Sequence, residues 1–453
     1  MLKLKSKQIG LLLTDVSIAF LALYSALGLR FFALPYESRI LAHLYLFIPL
    51  AIIQILIYYS FDFYDFSPFR SKIGQLSKVI NIHLFIALIG LGYFYLFASY
   101  SGITPKTVLA LYTIVHIVFA VVWRVFLAPN LFTPSARART LLIAEGGEYD
   151  ELKSAVNAHT YFPFYFVDHL IVDTKDVESH ESTLTKLRTT LEQNNIDQVV
   201  IDIRDERITP LLQYLYTLAA QRKIHVFDAN MVYQDILRKM PLRGIGHFWF
   251  FESVRLNIQA YEAAKRILDI ALTLPWLIIW LIAHPFIYLA IKLDSKGDVF
   301  ISQERYGLGG KIIKIYKYRT MERSDSGQWL KDPTNTNKIT RVGKILRKTS
   351  VLDELPQMFS VLKGDVSFIG PRPDILSLGG KLSAQIPFYM MRYSVRPGLS
   401  GWAQVTQQVI PQSVEENIER FKYDLYYIKH RSLLLDLIII IKTCKALVVR
   451  LFL

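Results

Sequence analysis

Residues 265–292 read KRILDIALTLPWLIIWLIAHPFIYLAIK, an apolar run between a basic pair and a lysine. By length this run is able to cross a bilayer as a helix, which takes about 20 apolar residues. Two features argue against crossing. Both ends are basic, through Lys265 and Arg266 before it and Lys292 after it, and basic flanks favour a cytosolic position. Pro275 and the pair His284-Pro285 lie inside it, and a proline in a helix removes a backbone donor and clashes with the preceding turn. The reading predicts a re-entrant helix, broken at His284 and Pro285, that enters the inner leaflet and returns. The fold turns on this point, because such a helix keeps the N-terminal and C-terminal parts of the chain on one side of the membrane.

Upstream the chain is a membrane protein by composition. It has 453 residues, of which 52% are hydrophobic, and its mean hydropathy is positive. Four apolar stretches, roughly 9–32, 40–60, 79–99 and 107–128, predict a four-helix transmembrane domain over residues 1–130. The first follows Lys3, Lys5 and Lys7, is too long for a signal peptide, and has no clean small-residue cleavage site. The loop at 61–78 carries Arg70, Lys72 and Lys78, and Arg137 and Arg139 follow the fourth stretch, whereas the other two loops are short and nearly uncharged. This bias predicts that the N-terminus and everything after residue 130 face the cytosol. Asp15, His83, His116 and Arg124 fall within or at the ends of these helices and are read as helix–helix polar contacts or as interfacial snorkelling.

The formal net charge of +14 suits anionic lipid head groups and a phosphorylated substrate. Nucleic acid is not an expected partner, since neither zinc-ligand spacing nor another nucleic-acid-binding motif occurs. Cys444 is the single cysteine, which excludes an intrachain disulfide and a cysteine-based zinc cluster.

Residues 137–250 change character. Runs at 140–144, 164–167, 170–172, 196–202 and 223–227 read as strands, with helices after the first and near 208–221. Strands alternating with helices predict a cytosolic, Rossmann-like α/β domain with a parallel sheet. Its first strand-to-helix turn reads Glu145-Gly146-Gly147-Glu148 instead of the glycine fingerprint of a dinucleotide fold. Two acids there would repel a pyrophosphate, so a structural or regulatory role is preferred.

Downstream, chemistry-bearing residues crowd into 341–373. Asp353 and Glu354 stand between a basic run and the turn Gly370-Pro371-Arg372-Pro373. Carboxylates act as nucleophiles or hold a divalent metal, and arginine binds phosphate oxygens through two parallel donors. The pattern points to phosphoryl-transfer chemistry on an anionic substrate. The plainer alternative is a capped helix start with solvated charges.

From Lys265 to the C-terminus the chain resembles the bacterial sugar transferase family, the polyprenyl-phosphate hexose-1-phosphate transferases or monotopic phosphoglycosyl transferases. The matching pieces run in order. Lys265-Arg266 and Asp269 come first, then Gln303, Arg305, Gly307, Gly310 and Lys311, then Lys317-Tyr318-Arg319-Thr320-Met321. Asp353-Glu354-Leu355-Pro356-Gln357, the stretch Gly364 to Pro373, Arg396-Pro397-Gly398 through Val405, and Tyr423-Asp424 with Tyr427-Ile428 complete the set. Each piece is weak alone; their order over nearly 190 residues is specific. The large members of the family also resemble this chain in arrangement, with four membrane helices and an α/β domain ahead of a mainly α monotopic catalytic domain, here 262–453.

The resemblance implies a UDP-sugar donor, an undecaprenyl (polyprenyl) phosphate acceptor, membrane lipids as surroundings, Mg²⁺ as cofactor and a possible homodimer. It implies an active site on the cytosolic face of a bacterial inner membrane and the first membrane step of a polysaccharide pathway. Asp353 would be the nucleophile, and Glu354 would help hold the metal or orient Asp353. Arg372, Lys317 and Arg319 would clamp the diphosphate, Pro371 and Pro373 would stiffen the turn, and Gln303, Arg305 and Arg396 would complete the substrate side. A span at 267–291 would put this site outside the cell, away from nucleotide-activated sugars.

Departures are plain. The family breaks its re-entrant helix at Ser-Pro, whereas His284-Pro285 lies about a turn later; Asp298 stands where a proline is usual; and Thr406-Gln407-Gln408 replaces Asn-Gly, which leaves the sugar open. Rival readings are an inactive nucleotide-sugar-binding regulator, opposed by the retained Asp353, Glu354, Lys317 and Arg372; a transporter, opposed by so few spans; and a conventional glycosyltransferase, opposed by the lack of an Asp-x-Asp motif.

Overall fold

Four long helices open the chain: α1 (Leu2–Phe31), α2 (Glu37–Ser60), α3 (Lys72–Ser101) and α4 (Lys106–Val121), the last continuing as a wider π-helical turn, Val122–Leu127. The computed structural model describes residues 2–60, 63–64, 72–101, 106–128, 131, 137–159, 162–172, 177–221, 223–243, 259–322, 338–349, 352–407 and 409–452. The chain divides into two compact units, 1–229 and 230–453. Arg70, expected in a charged loop, lies outside the described residues.

Stretches Ile9–Phe31, Glu37–Tyr59 and Lys106–Leu127 are long and apolar enough to cross a membrane, and α3 contributes the shorter apolar stretch Val79–Tyr95. Their polar residues face one another, as expected. The Tyr58 hydroxyl lies 2.7 Å from His83 Nε2, and His83 Nδ1 donates to the Val79 carbonyl at 2.7 Å. Gln54 bonds His116 at 3.1 Å, and Arg124 in the π-helical turn pairs with Asp15 and donates to the Phe63 carbonyl at 2.5 Å. In an apolar medium such groups have no water to satisfy them, so each finds a partner on another helix.

The first unit also holds a parallel sheet in the order β2-β1-β3-β4, made of β1 (Ala138–Ile143), β2 (Phe164–Leu170), β3 (Gln198–Ile201) and β4 (His225–Asp228). Helices α5 (Gly147–Asn157), α6 (Val177–Gln193) and α7 (Thr209–Ala220) alternate with the strands. Leu141, Ile143, Val199 and Ile201 are buried and pack with Leu187, Leu211 and Leu215 from the helices. The two runs expected at 164–167 and 170–172 are one strand. A bulge opposite Thr140 and Leu141 skips Val167, and His169 bonds the Ala144 carbonyl at 2.7 Å, so an edge strand accommodates Asp168 and His169. At the first strand-to-helix turn Arg207 pairs with both Glu145 and Asp205, so an acid expected to repel a pyrophosphate is held in an ion pair.

In the second unit, α8 (Ala229–Leu237) leads to Arg238, whose carbonyl accepts from Trp402 Nε1 at 2.9 Å. The long helix α9 (Gln259–Asp294) comes next. Where a break was expected, the backbone stays helical through His284-Pro285, with Pro275 and Pro285 both inside. A proline removes one hydrogen bond and strains one turn, and neighbouring turns retain the helix. One face of α9, Tyr261, Lys265, Asp269, Thr273 and Trp280, is buried at near four-residue spacing. The other exposes Ile267, Leu274, Ile278, Ile282, Phe286 and Leu293.

An antiparallel hairpin, β5 (Phe300–Tyr306) and β6 (Ile312–Tyr318), packs on α9 through Tyr318, whose hydroxyl bonds His284 Nδ1 at 2.7 Å. Then come α10 (Arg341–Thr349), a 3₁₀ turn (Leu352–Gln357), α11 (Met358–Lys363) and β7 (Ser367–Ile369). After these are α12 (Leu376–Gln385), a second 3₁₀ turn (Tyr389–Ser394), β8 (Gly398–Ser400), α13 (Trp402–Gln407), α14 (Val414–His430) and α15 (Leu433–Phe452). Asp436 on α15 is fully buried. It accepts from Tyr261, Lys265 and Tyr427 at 2.9, 3.1 and 2.7 Å, because a buried carboxylate needs counter-charge and donors.

Candidate active site

The sequence forces a tight turn at Asp353 and Glu354. Pro356 cannot continue an α-helical ladder, and Leu352–Gln357 winds as a 3₁₀ turn with Leu355 and Pro356 buried. That anchors the turn by its apolar residues and leaves the carboxylates free of the core. Arg372 reaches Glu354, Nη2 to Oε1, at 2.5 Å. Both side chains sit deep among protein atoms, yet Arg372 stays 33% and Glu354 20% exposed, as at the floor of an open cleft.

Electrostatics separate the two acids. For Glu354 burial opposes the charge, but the Arg372 guanidinium, with Arg305 and Lys317 farther off, outweighs it and holds the carboxyl below its usual value. For Asp353 burial and the adjacent Glu354 charge push the carboxyl up to about 6, against the pull of Arg347 and Arg372. Glu354 is thus the charged partner and Asp353 the strained one, the kind of split that marks working acid pairs.

The Arg372 turn is pinned from several sides. Gly370 N donates to the Ser400 carbonyl at 2.9 Å and Gly398 N to the Pro371 carbonyl at 3.0 Å. A Cβ on Gly398 would meet Gly370 N at 2.0 Å, so only glycine allows this approach. Arg305 donates to the Pro373 carbonyl at 2.6 Å and to Gln303 Oε1 at 2.9 Å. Arg392, fully buried, donates to the Arg372 carbonyl at 3.1 Å, to Asp424 at 2.7 Å, and to Asp374.

The strand register explains which basic residues join. Lys317 lies opposite Ile301, and Gln303 and Arg305 lie opposite Ile315 and Ile313. Residues directly opposite share a face, so Lys317, Gln303 and Arg305 face one way and Tyr318 with Phe300 the other. Arg319, expected beside Lys317 in the clamp, instead bonds the carbonyl and hydroxyl of Ser295 at 2.7 and 2.9 Å. A Cβ on Gly297 would meet it at 2.1 Å. Arg396 acts on Asp269 by charge. His284 stacks on Trp280, ring centres 4.8 Å apart.

Two residues near the site had no predicted role. Arg347, in the last turn of α10, bonds Thr320 at 2.8 Å and favours the charged form of Asp353. Arg392 lies between motifs, and its only signal in the sequence is that Asp374 and Asp424 require a cation. Among the described residues, no three His, Cys, Asp or Glu side chains converge on one point. Asp353 and Glu354 still fit a magnesium ion, because Arg347 and Arg372 only partly offset the burial and repulsion that disfavour the Asp353 charge, and such ions take one or two carboxylates plus substrate oxygens.

A family model described as bacterial sugar transferase matches residues 260–450. The chain is 34% identical over 255 residues to the Aeromonas hydrophila UDP-N-acetylgalactosamine-undecaprenyl-phosphate N-acetylgalactosaminephosphotransferase, covering 55% of this chain and 59% of that protein. It is 34% identical over 277 residues to the Klebsiella pneumoniae UDP-glucose:undecaprenyl-phosphate glucose-1-phosphate transferase, covering 60% and 58%. It is 41% identical over 194 residues to the Caulobacter vibrioides protein of the latter name, covering 42% of this chain and 71% of that protein. The match thus spans little more than half the length of the first two relatives.

Proposed function

The chain belongs to the bacterial sugar transferase family, and from that premise we propose that it transfers a sugar-1-phosphate from a UDP-sugar to undecaprenyl phosphate. UMP leaves, and the product is an undecaprenyl-diphosphate-sugar, the first membrane step of a surface polysaccharide. The observation that carries this reading is the Glu354–Arg372 pair beside a carboxyl whose charge is disfavoured. One cation is ready for phosphate, and the neighbouring acid is unsatisfied until something accepts its electron pair.

In the reaction, an Asp353 oxygen attacks the sugar-bearing phosphorus, and the bond from that phosphorus to the UMP oxygen breaks. The carboxylate now carries the sugar phosphate as a mixed anhydride. An oxygen of undecaprenyl phosphate then attacks the same phosphorus and returns Asp353 to its carboxylate. Such covalent relay divides one hard displacement into two. Arg372, with Lys317 and Arg305 on the hairpin, draws charge from the phosphoryl oxygens, and Glu354 keeps Arg372 aimed until substrate arrives. A magnesium ion held by Asp353 and Glu354 would supply further neutralisation of phosphate charge.

A seat for α9 along one leaflet, without a crossing, is supported by its contacts along its whole length with its own unit. Asp269 accepts from Ser367 at 2.9 Å near its start, Trp280 meets Phe359 in its middle, and Asp294 accepts from Val342 N at 2.9 Å at its end. A helix that crossed a bilayer would part from that unit along half of its length. On this reading the catalytic part lies on the cytosolic face of the bacterial inner membrane, at head-group height, where the acceptor phosphate is found.

The test is UMP release by the purified protein with undecaprenyl phosphate, Mg²⁺ and a panel of UDP-sugars that includes glucose and N-acetylgalactosamine. One sugar should release UMP, and Asp353→Asn should not. Release by Asp353→Asn at the wild-type rate would remove the covalent step. Silence with every sugar would favour a regulator that binds nucleotide-sugar without turnover.

A further inference from the structure

Arg420 sits on α14 one turn before Asp424, and residues four apart share a helix face. Asp424 is bonded to Arg392, and Arg392 holds the Arg372 carbonyl. Arg420 therefore stands beside the scaffold of the Pro371–Pro373 turn. Burial disfavours its charge, Asp424 favours it, and Arg392 and Arg372 oppose it.

Its neighbours have partners and it does not. Asp374 is taken by Arg392, Tyr389 and Tyr393, Asp424 by Arg392, and Glu354 by Arg372. Among the described residues the Arg420 guanidinium makes no hydrogen bond or ion pair, and its Nε is buried without a partner. The bland account is a stem that packs while its head is solvated, as long basic side chains often do. It does not explain a buried Nε among other arginines. A partly desolvated guanidinium with no bonded counter-ion is costly, and its planar fork matches phosphate oxygens.

We infer that Arg420 is a further substrate ligand, a cation placed beside Arg372 to receive a phosphate group of the donor diphosphate or of the lipid acceptor. The inference rests on the transfer reaction proposed above. When the phosphate binds, it supplies the counter-charge that the protein itself withholds from Arg420. The resting protein bears the cost, and the ligand relieves it.

The experiment uses the full-length protein in lipid nanodiscs, as wild type, Arg420→Met and Arg420→Lys. KM is read separately for the UDP-sugar and for undecaprenyl phosphate, and the melting temperature is read without substrate. Arg420→Met should raise one KM roughly ten- to hundred-fold, the loss expected for a charge-assisted bond, and Arg420→Lys should recover part of it. A rise for the UDP-sugar assigns the donor, and a rise for the lipid assigns the acceptor. The melting temperature should hold or rise, because no native partner is lost. Two unchanged KM values overturn the inference, and so does a raised KM that comes with a lowered melting temperature. If wild type turns over no UDP-sugar, the transfer reading fails separately. Pyrophosphate binding then decides: weaker binding by Arg420→Met upholds the phosphate site, and equal binding overturns it.

Discussion

Arg392 is bonded to Asp374, to Asp424 and to the Arg372 carbonyl, all within the protein interior. Replacing it by methionine leaves two carboxylates without their bonded cation and the Arg372 turn without its brace. Breaking a buried pair costs about 3–5 kcal/mol, so Arg392→Met should lower the melting temperature sharply and take turnover with it. Asp353 predicts the opposite sign. Its folded carboxyl is pushed up to about 6 from 3.8, so ionised Asp353 opposes folding above pH 6, and the penalty fades as pH falls toward 3.8. Asp353→Asn should therefore be more stable than wild type at pH 7 to 8 in EDTA, by ~1–3 kcal/mol. Thermal melts across pH check this: the gain should shrink below pH 6, and a gain independent of pH would contradict the cause given.

At the scale of elements, the hairpin divides a contiguous motif. Lys317 and Tyr318 are neighbours in sequence and face opposite ways, one toward Gln303 and Arg305, the other toward His284. Lys317→Met should reduce turnover. Tyr318→Phe, which loses the bond to His284, should cost about 1 kcal/mol of stability and leave turnover near wild type, as read by UMP release beside a melting curve. The sequence motif at 317–319 suggested a clamp of Lys317 with Arg319, because a linear run hides the end of β6 at Tyr318, after which Arg319 is held by Ser295. The four apolar helices were legible from the length of their apolar runs, and the parallel strands from short apolar runs alternating with helices. Arg347, Arg392 and Arg420 were not, because their roles depend on partners such as Thr320, Asp374 and Arg372 that only folding brings near. The continuous course of α9 through Pro285 is another such case: the loss of one donor is visible in the sequence, and the packing of Trp280 and His284 that holds the turn is not.

For the whole molecule, the proposed topology has a direct check. Lys296 is exposed just beyond α9, and a cysteine there spares the contact of Ser295 with Arg319. Lys296→Cys, in a Cys444→Ser background, should stay unlabelled by an impermeant thiol reagent in intact cells and react after permeabilisation. Labelling of intact cells would mean that α9 crosses the membrane.

The apolar flank of α9 has a consequence for handling the protein. Only 6% of its most apolar window is fully buried by the chain itself, so its outer face must be wetted by lipid tails or by something that imitates them. In plain buffer the nearest imitation is the same flank on another molecule, and two such flanks would hide each other from water. A subunit count taken without detergent or lipid would therefore record this adhesion, whatever the native stoichiometry. Mass measured in nanodiscs across a range of lipid-to-protein ratios separates the two: adhesion dissolves as lipid is added, and a native assembly does not.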